Sequence, residues 1–229
     1  MSEVADVVVA GGGVVGCAVA WELARRDVDV LLVDRQMPGR ATSASAGGLW
    51  PVGEAVGLGC GVIYQAARSG SDGADTVPES LPVVFRDFLV QSNAEFPALA
   101  DSLLDQTGID IELDSGPGLL FLMNSARQQA VVDNIARGLP DGFILEILTP
   151  EEVATLEPSL TTEIVGGALL PGEHQVNPMF LAEAYKRAAL AAGARMRHAT
   201  LVDALHRQGD RVVGVNVAGE LIECKTVVN

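Results

Sequence analysis

Residues 5–16 read ADVVVAGGGVVG, a short valine-rich run followed by glycines in the spacing G-x-G-x-x-G. The run is typical of a parallel strand that is buried on both faces. The glycines predict a tight turn into a helix that begins near Val14. Residues 28–34, VDVLLVD, predict a second buried strand. Together these segments form one strand–turn–helix–strand unit of about 30 residues, the length of a βαβ unit.

The turn from Gly11 to Gly16 predicts a dinucleotide-binding site. Gly11 permits the tight turn, Gly13 lets a pyrophosphate approach the backbone, and Gly16 lets the helix pack on the sheet. The start of the helix directs unpaired N–H groups at the phosphates. Asp34 ends the second strand and carries a carboxylate that accepts hydrogen bonds from ribose hydroxyls. FAD and NAD are both bound by this arrangement, so other features must distinguish them.

The segment after Asp34 favours FAD. Residues 35–73 are rich in glycine and serine and predict a long loop, whereas an NAD domain normally continues with regular βαβ units. Within this loop, residues 42–49 read TSASAGGL. Small side chains and hydroxyl groups let backbone N–H groups line an extended cofactor and let a flat ring approach closely. An NAD(P)-dependent dehydrogenase stays the alternative.

Helix and strand signals alternate along the rest of the chain, which predicts an α/β fold. Ser125 or Asn124, Thr149 and Asn177 are residues whose side chains favour helix starts. Helices are predicted over 82–107, 125–137, from 149 onward, and over 177–192. Strands are predicted over 109–113, 118–123, 143–148, 166–170, 195–205 and 211–217, with a strand pair over 221–229.

Composition excludes several classes of partner. The 229 residues carry a formal net charge of −15, which argues against nucleic acid and against anionic membrane surfaces. The N-terminus lacks the features of a signal peptide, and no uninterrupted apolar stretch reaches about 18 residues, so no transmembrane segment is predicted. The 3 cysteines are widely separated, which fits a reducing cytoplasm and predicts neither a disulfide framework nor a metal site.

The glycine turn, Asp34 and residues 42–49 together resemble the D-amino-acid oxidase superfamily of flavoenzymes. Residues 45–63 and the stretch HQVNP at 174–178 are similar, within that superfamily, to the flavoprotein subunits of hydrogen cyanide synthase. The resemblance covers the whole chain as the N-terminal half, or slightly more, of the family. The chain stops at Asn229 inside an apolar strand, and we therefore expect a truncated product.

The resemblance implies a discontinuous, Rossmann-like FAD-binding domain with an inserted α+β substrate domain. Its first segment would be 1–83 and its second segment 151–229, truncated at the C-terminus. Residues 84–150 would form the substrate-domain segment. Asp27 stands where the family usually has glycine after the first helix, and aspartate tolerates a left-handed backbone better than most residues.

The resemblance also implies which residues bind FAD. The glycine turn would hold the pyrophosphate, the end of the second strand would flank the adenosine ribose, the hydroxyl-rich segment would line the pyrophosphate and flavin ring, and one backbone group would contact adenine. In that order, the residues are Gly11, Gly13, Val14, Val15 and Gly16; Asp34 and Arg35; Thr42, Ser43, Ala46, Gly47, Gly48 and Leu49; and Val202.

For function, the resemblance implies amine oxidation. The α-hydrogen of glycine, a D-amino acid or a related secondary amine leaves as hydride to the flavin, and the imine then hydrolyses. No catalytic residue is assigned, because no protein acid or base is required when the amine binds neutral. The resemblance further implies a hetero-oligomer with other dehydrogenase subunits, cytoplasmic or held at the inner face of the membrane through partners. An inactive nucleotide-binding fragment is the remaining alternative.

Overall fold

A computed structural model of the chain describes residues 3–55, 58, 82–139, 141–160 and 163–229. The chain divides into two units, each of which is described by itself. The first unit comprises Met1–Gly47, Ala98–Glu112 and Val176–Asn229, and the second comprises Gly48–Pro97 and Leu113–Gln175. Across the described ranges, no helix is both long and apolar enough to cross a bilayer.

The elements alternate along the chain as an α/β fold requires. The strands are β1 (Glu3–Ala10), β2 (Val30–Asp34), β3 (Gly48–Leu49), β4 (Leu119–Met123), β5 (Glu146–Leu148), β6 (Gly166–Leu170), β7 (His174–Gln175), β8 (Arg195–His198), β9 (Val202–Gln208), β10 (Arg211–Val217) and β11 (Glu220–Val228). The helices are α1 (Val14–Ala24), α2 (Ala41–Ala44), α3 (Pro51–Ala55), α4 (Val83–Ala94), α5 (Phe96–Thr107), α6 (Ala126–Arg137), α7 (Pro150–Leu156) and α8 (Pro178–Ala191).

A six-stranded sheet in the order β8-β2-β1-β11-β10-β9 forms the centre of the first unit. Strands β8, β2, β1 and β11 run parallel, while β10 and β9 continue the sheet antiparallel. Every residue of β2 is buried, as expected for an apolar run covered on both faces. Because parallel strands end at the same edge, the glycine turn after β1 and Asp34 at the end of β2 come together there. The Rossmann-like α/β class predicted from the sequence is confirmed.

Helices α1 and α8 pack against each other in the first unit. The rings of Trp21 and Tyr185 lie 5.6 Å apart between centroids, and buried alanines such as Ala20 and Ala184 let the helices approach closely. Asn177 caps α8 by accepting hydrogen bonds from the N–H groups of Met179 and Phe180. After α1 the chain turns at Asp27, whose φ of 62° is the left-handed conformation that the sequence predicted there.

The second unit contains a three-stranded antiparallel sheet in the order β4-β6-β5 and a short antiparallel pair, β3-β7. Its core gathers Met123, Val132, Ile135 and Leu170. Helix α7 begins with a capping box, in which Thr149 and Glu152 satisfy each other's backbone N–H groups. The helix start predicted at Thr149 is therefore confirmed.

The strand predicted over 109–113 is wrong. The Asp110 carboxylate accepts the N–H of Glu112 at 2.8 Å, and Glu112 has a φ of 54°, so the chain turns there rather than extending. Ile111 is nevertheless fully buried. The apolar pattern over 109–113 therefore predicted a buried side chain correctly but predicted an extended backbone incorrectly.

The single strand predicted over 195–205 is two strands at opposite edges of the sheet. Between β8 and β9, Ala199 has a φ of 52° and the N–H of Thr200 donates to the carbonyl of Asp34 at 3.1 Å. The strand pair predicted over 221–229 is one continuous strand, β11, which bonds to β1 on one side and β10 on the other.

Three further predictions need correction. The loop predicted over 35–73 contains α2, β3 and α3, and its residues 56, 57 and 59–73 lie outside the described part of the chain. The strand over 143–148 is shortened to β5. The helical stretch over 82–107 is two helices, α4 and α5, and two aromatic side chains of α4, Phe85 and Phe88, are exposed.

The two units do not follow the predicted domain boundaries residue by residue. Ala98–Glu112 groups with the first unit, although it lies inside the predicted substrate segment 84–150. Gly48–Pro97 groups with the second unit, although the FAD-binding segment was predicted to run to residue 83. Which segments bind FAD and which bind substrate stays a prediction.

Candidate functional site

The glycine turn joins β1 to α1 and has the backbone that only glycines allow. Gly11 has a φ of +115°, and a Cβ on Gly16 would lie 1.8 Å from the carbonyl oxygen of Gly11. Gly13 occupies the N-cap of α1 and brings no side-chain cap, and the first turn of the helix contains no acidic residue. Val15 is 73% exposed there. The start of α1 therefore presents backbone donors and the positive end of its dipole to an incoming anion.

Thr42 lies directly against this turn. Its hydroxyl oxygen accepts the N–H of Val14 at 3.0 Å, and a Cβ on Gly13 would lie 3.1 Å from the same oxygen. The Thr42 hydroxyl hydrogen is left to donate onward. Ser43, the next residue, donates its hydroxyl to the carbonyl of Arg40 at 2.9 Å. Val14 and Thr42, both predicted to contact the phosphates, are therefore hydrogen-bonded to each other.

Asp34 is a buried carboxylate beside the turn, with a side chain that is nearly inaccessible. Arg40 Nη1 donates to Asp34 Oδ2 at 2.9 Å. A Cβ on Gly12 would lie 2.8 Å from the Cβ of Asp34, so the middle glycine of the turn is what allows the carboxylate so close. The Arg40 ion pair compensates the burial of the Asp34 charge.

Two cavities meet at Asp34. The larger, of about 570 Å³, is lined by Gly11, Asp34, Arg35 and Val202, together with other residues of β9 and its approach. The smaller, of about 300 Å³, is lined by Gly12, Arg40, Thr42 and Ser43 and by one face of α8. Predicted ribose, adenine and phosphate contacts therefore surround one continuous stretch of the sheet edge in the first unit.

The remaining predicted residues are divided between the units. Gly47 ends the first-unit segment with a φ of +81°, and a Cβ there would lie 1.9 Å from the carbonyl oxygen of Val176. Ala46 beside it is exposed. Gly48 and Leu49 belong to the second unit, where they pair with Gln175 and His174.

Sequence reasoning missed Arg40 and Thr200, which touch Asp34, and Glu173 in the second unit. Glu173 is almost fully buried and accepts the N–H groups of Val52 and Gly53. Burial raises the pKa of Glu173 to about 7, against the lowering effect of those two N–H groups. None of the three stands in a recognisable motif, because their partners are distant in sequence or are backbone groups.

Cys17 lies beneath the glycine turn and is a structural thiol. Its S–H donates to the carbonyl of Gly12 at 3.5 Å, and burial raises the pKa of the Cys17 thiol to about 11. Cys224 is also buried, whereas Cys60 lies outside the described residues. Among the residues that the structure describes, no group of three or more His, Cys, Asp or Glu side chains is placed to hold a metal ion.

The first unit fits a dinucleotide cofactor. The helix start offers donors to a pyrophosphate, Thr42 offers a hydroxyl beside them, and a cavity of about 570 Å³ next to the Asp34 carboxylate is of the size that small-molecule sites have. At positions 12, 13 and 16 the neighbouring atoms leave little space for a Cβ, so these positions favour glycine. The cradle is therefore free of side chains at these positions. The chemistry of these groups matches pyrophosphate, ribose and base.

Comparisons with known proteins identify the relatives of the chain. It is 35% identical over 243 residues to the hydrogen cyanide synthase subunit HcnC of Pseudomonas aeruginosa, which covers all of this chain and 58% of that subunit. It is 34% identical over 196 residues to the glycine oxidase of Geobacillus kaustophilus, covering 82% of this chain and 44% of the oxidase. The chain therefore spans about half the length of these relatives.

Solved structures agree with the sequence relatives. The crystal structure of glycine oxidase from Geobacillus kaustophilus matches with a TM-score of 0.78 at 29% identity, over 99% of this chain and 55% of that one. The glycine oxidase of Bacillus cereus matches with the same TM-score at 25% identity, over 97% of this chain and 54% of that one. The model of the DAO family, described as FAD dependent oxidoreductase, matches residues 6–229. With the glycine turn, Asp34 and their shared cavity all inside that match, the chain belongs to the DAO family of FAD-dependent oxidoreductases, and FAD rather than a nicotinamide is its cofactor.

Proposed function

We propose that the chain is the FAD-binding part of an oxidoreductase that oxidises the C–N bond of glycine, a D-amino acid or a related secondary amine. The observation that carries the proposal is the 570 Å³ cavity, whose lining combines Gly11, Asp34, Arg35 and Val202. Glycine is the first substrate to consider, because it is named in the relatives called glycine oxidase.

Each part of the first unit has a role in this proposal. At the start of α1, the N–H of Val15 and the hydroxyl of Thr42 donate hydrogen bonds to the pyrophosphate. The Thr42 hydroxyl is oriented by the N–H of Val14, which donates to its oxygen. Asp34, oriented by Arg40, accepts the ribose hydroxyls. The backbone of Val202 contacts adenine. When bound, FAD supplies the hydride acceptor.

We further propose the division of labour along the chain. Residues 1–83 and 151–229 form the FAD-binding domain, Gly48 and Leu49 contact the flavin ring, and residues 84–150 form part of the substrate domain. The similarity to a hydrogen cyanide synthase subunit supports assembly with other subunits. We propose that these are dehydrogenase subunits and that the assembly is cytoplasmic or held at the inner face of the membrane through partners.

Ligand-dependent thermal unfolding tests the cofactor site. We expect FAD to raise the Tm of the full-length protein and NAD and NADP to leave it unchanged, since a ligand stabilises only the state that binds it. The Asp34→Ala variant should bind FAD at least about tenfold more weakly, because hydrogen bonds to a buried charged group are lost. Asp210→Ala, in the β9–β10 turn, is the control and should bind FAD as the wild type does.

Anaerobic flavin bleaching tests the substrate class. The FAD-loaded full-length protein is mixed with glycine, N-methylglycine, D-alanine or an opine, and loss of the oxidised flavin absorbance is recorded. We expect at least one amine to bleach the flavin and 2-hydroxy acids to leave it oxidised. Bleaching by 2-hydroxy acids alone would refute the proposed reaction while leaving the FAD site intact.

A further inference from the structure

Helix α3 in the second unit begins at Pro51, directly after Trp50. Trp50 stands at the N-cap, where its indole has no acceptor to offer, and Pro51 follows it without an N–H. The next two N–H groups belong to Val52 and Gly53, and Gly53 is buried. Buried N–H groups left without an acceptor would destabilise this turn, so a partner from elsewhere is required.

Glu173 supplies that partner. Its Oε1 accepts the N–H of Val52 at 2.8 Å and that of Gly53 at 3.3 Å, while the side chain is only 2% exposed. The Oε2 atom is also buried and, among the residues described, has no hydrogen-bond partner. A buried carboxylate is costly, so its placement is explained by the two backbone groups that it fixes.

The residues next to Glu173 fix the preceding part of the same segment. His174 and Gln175 pair antiparallel with Leu49 and Gly48. The Trp50 indole lies against Gly48, where a Cβ would come within 2.4 Å of the ring. The segment 48–53 is therefore held at one end by the strand pair and at the other end by the Glu173 carboxylate.

We infer that Glu173 is a positioning residue for the flavin-contacting segment: by accepting two N–H groups it fixes Trp50–Gly53 and, through the Trp50 indole, the backbone of Gly48 and Leu49. This inference rests on the proposed function, in which Gly48 and Leu49 contact the flavin ring. Glu173 itself touches neither substrate nor flavin in this scheme. Its effect on the flavin is transmitted through the segment 48–53.

The ionisation of Glu173 provides a spectroscopic handle. Burial raises its pKa to about 7, the Val52 and Gly53 N–H groups lower it, and the neighbouring Glu54 carboxylate raises it further. A Glu173→Gln variant keeps an oxygen acceptor for the two N–H groups but cannot ionise. Glu54→Gln keeps the Glu173 carboxyl and removes the negative charge beside it.

Fluorine NMR of protein labelled with 5-fluorotryptophan reports the segment directly. The chain contains 2 tryptophans, so the Trp50 signal is assigned with a Trp50→Phe variant. We expect the wild-type Trp50 signal to titrate with a midpoint near pH 7, the signal of Glu173→Gln to stay constant, and that of Glu54→Gln to titrate at lower pH. A Trp50 titration that survives in Glu173→Gln would overturn the inference.

Binding of FAD and of ADP separates the flavin end from the nucleotide end. ADP occupies only the nucleotide part, so damage to the whole fold weakens both ligands equally. In the full-length protein we expect Glu173→Ala to weaken FAD binding about tenfold and ADP binding by less than about twofold. The same variant should shift the flavin absorption bands. Glu173→Gln at pH 6 should restore both the FAD affinity and the absorption bands.

The outcomes distinguish the inference from the function on which it rests. Wild-type protein that binds ADP but gains nothing from the flavin moiety would overturn both. If the wild type binds FAD normally and Glu173→Ala has the same FAD affinity and the same flavin absorption bands, the inference alone is overturned. If Glu173→Ala does not fold, the Trp50 titration of Glu173→Gln decides.

Discussion

At the scale of single residues, the glycine turn depends on space more than on flexibility. Gly16 has an ordinary helical backbone, yet its missing side chain is what lets α1 pass the carbonyl of Gly11. The sequence pattern identified this residue because the contact is local, two positions of one motif touching each other. Arg40 could not be assigned to Asp34 in the same way, because many rotamers separate an arginine from a carboxylate six positions away.

Replacing Gly16 with alanine should damage the fold itself. The new Cβ would lie 1.8 Å from the Gly11 carbonyl oxygen, so α1 or β1 must move. We expect a loss of about 3 kcal/mol or more in the free energy of unfolding, measured by urea denaturation. Gly138→Ala is the matched control, with a negative φ and its nearest new neighbours 3.7 Å away. It should change stability by less than about 0.5 kcal/mol. Equal effects would contradict the steric explanation.

Glu173 should make stability depend on pH with a defined sign. Its folded-state pKa of about 7 lies above the ordinary value of 4.5 because burial disfavours the charge. The stabilising contribution is therefore complete below about pH 4.5 and is lost as pH rises through 7. Relative to wild type, Glu173→Gln should gain on the order of 3 kcal/mol in unfolding free energy between pH 5 and pH 8. Urea titrations at both pH values measure the difference, and a constant difference would show that the carboxyl does not titrate in this range.

At the scale of helices and strands, caps and periodicity were reliable where their partners are close in sequence. The starts of α7 and α8 were predicted from Thr149 and Asn177, and the start of α6 from Ser125 or Asn124. In the structure, Ser125, Thr149 and Asn177 bond to N–H groups of their own first turns. The prediction of one strand over 195–205 was wrong because the break in it depends on the N–H of Thr200 donating to the carbonyl of Asp34, a contact with another strand of the sheet. The short strands β3 and β7 could not be predicted, since each forms by pairing with residues distant in sequence.

The cap of α8 can be tested by graded substitution. Asn177 accepts two N–H groups of the first turn, so Asn177→Ala should lower the free energy of unfolding by about 1–2 kcal/mol. Asn177→Ser, which retains a capping oxygen, should recover most of that loss. Chemical denaturation of the two variants compares them. A serine variant as unstable as the alanine variant would assign the effect to the Asn177–Glu112 hydrogen bond instead.

At the scale of the whole molecule, the net charge and the pairing of segments distant in sequence determine properties that no single contact determines. The sequence predicted the α/β class and the glycine cradle because both follow from local pattern. It could not predict that Ala98–Glu112 joins the first unit or that the contacts of Asp34 come from residues 40 and 200. Those features depend on long-range packing, which local periodicity does not encode.

The net charge of −15 should make the folded protein sensitive to ionic strength. Repulsion among like charges destabilises the compact state, and salt screens it within a Debye length of about 10 Å at 0.1 M. We expect the Tm to rise by about 2–4 °C between low salt and 0.3 M NaCl, the equivalent of about 1 kcal/mol. KCl should act identically and the effect should level off. A Tm that falls with salt would show that surface ion pairs such as Arg195–Glu3 dominate instead.

The pairing of β1 with β11 has a consequence for synthesis on the ribosome. Glu3 and Val9 in β1 pair with Ile222 and Val228, so one edge of β1 stays unpaired until β11 has been synthesised. At roughly 5–20 residues per second, translation leaves this valine-rich edge open for on the order of ten seconds or more. Open edges of this composition invite pairing with other chains. The nascent chain therefore has its greatest need of a chaperone early in translation, well before the cofactor cradle is complete.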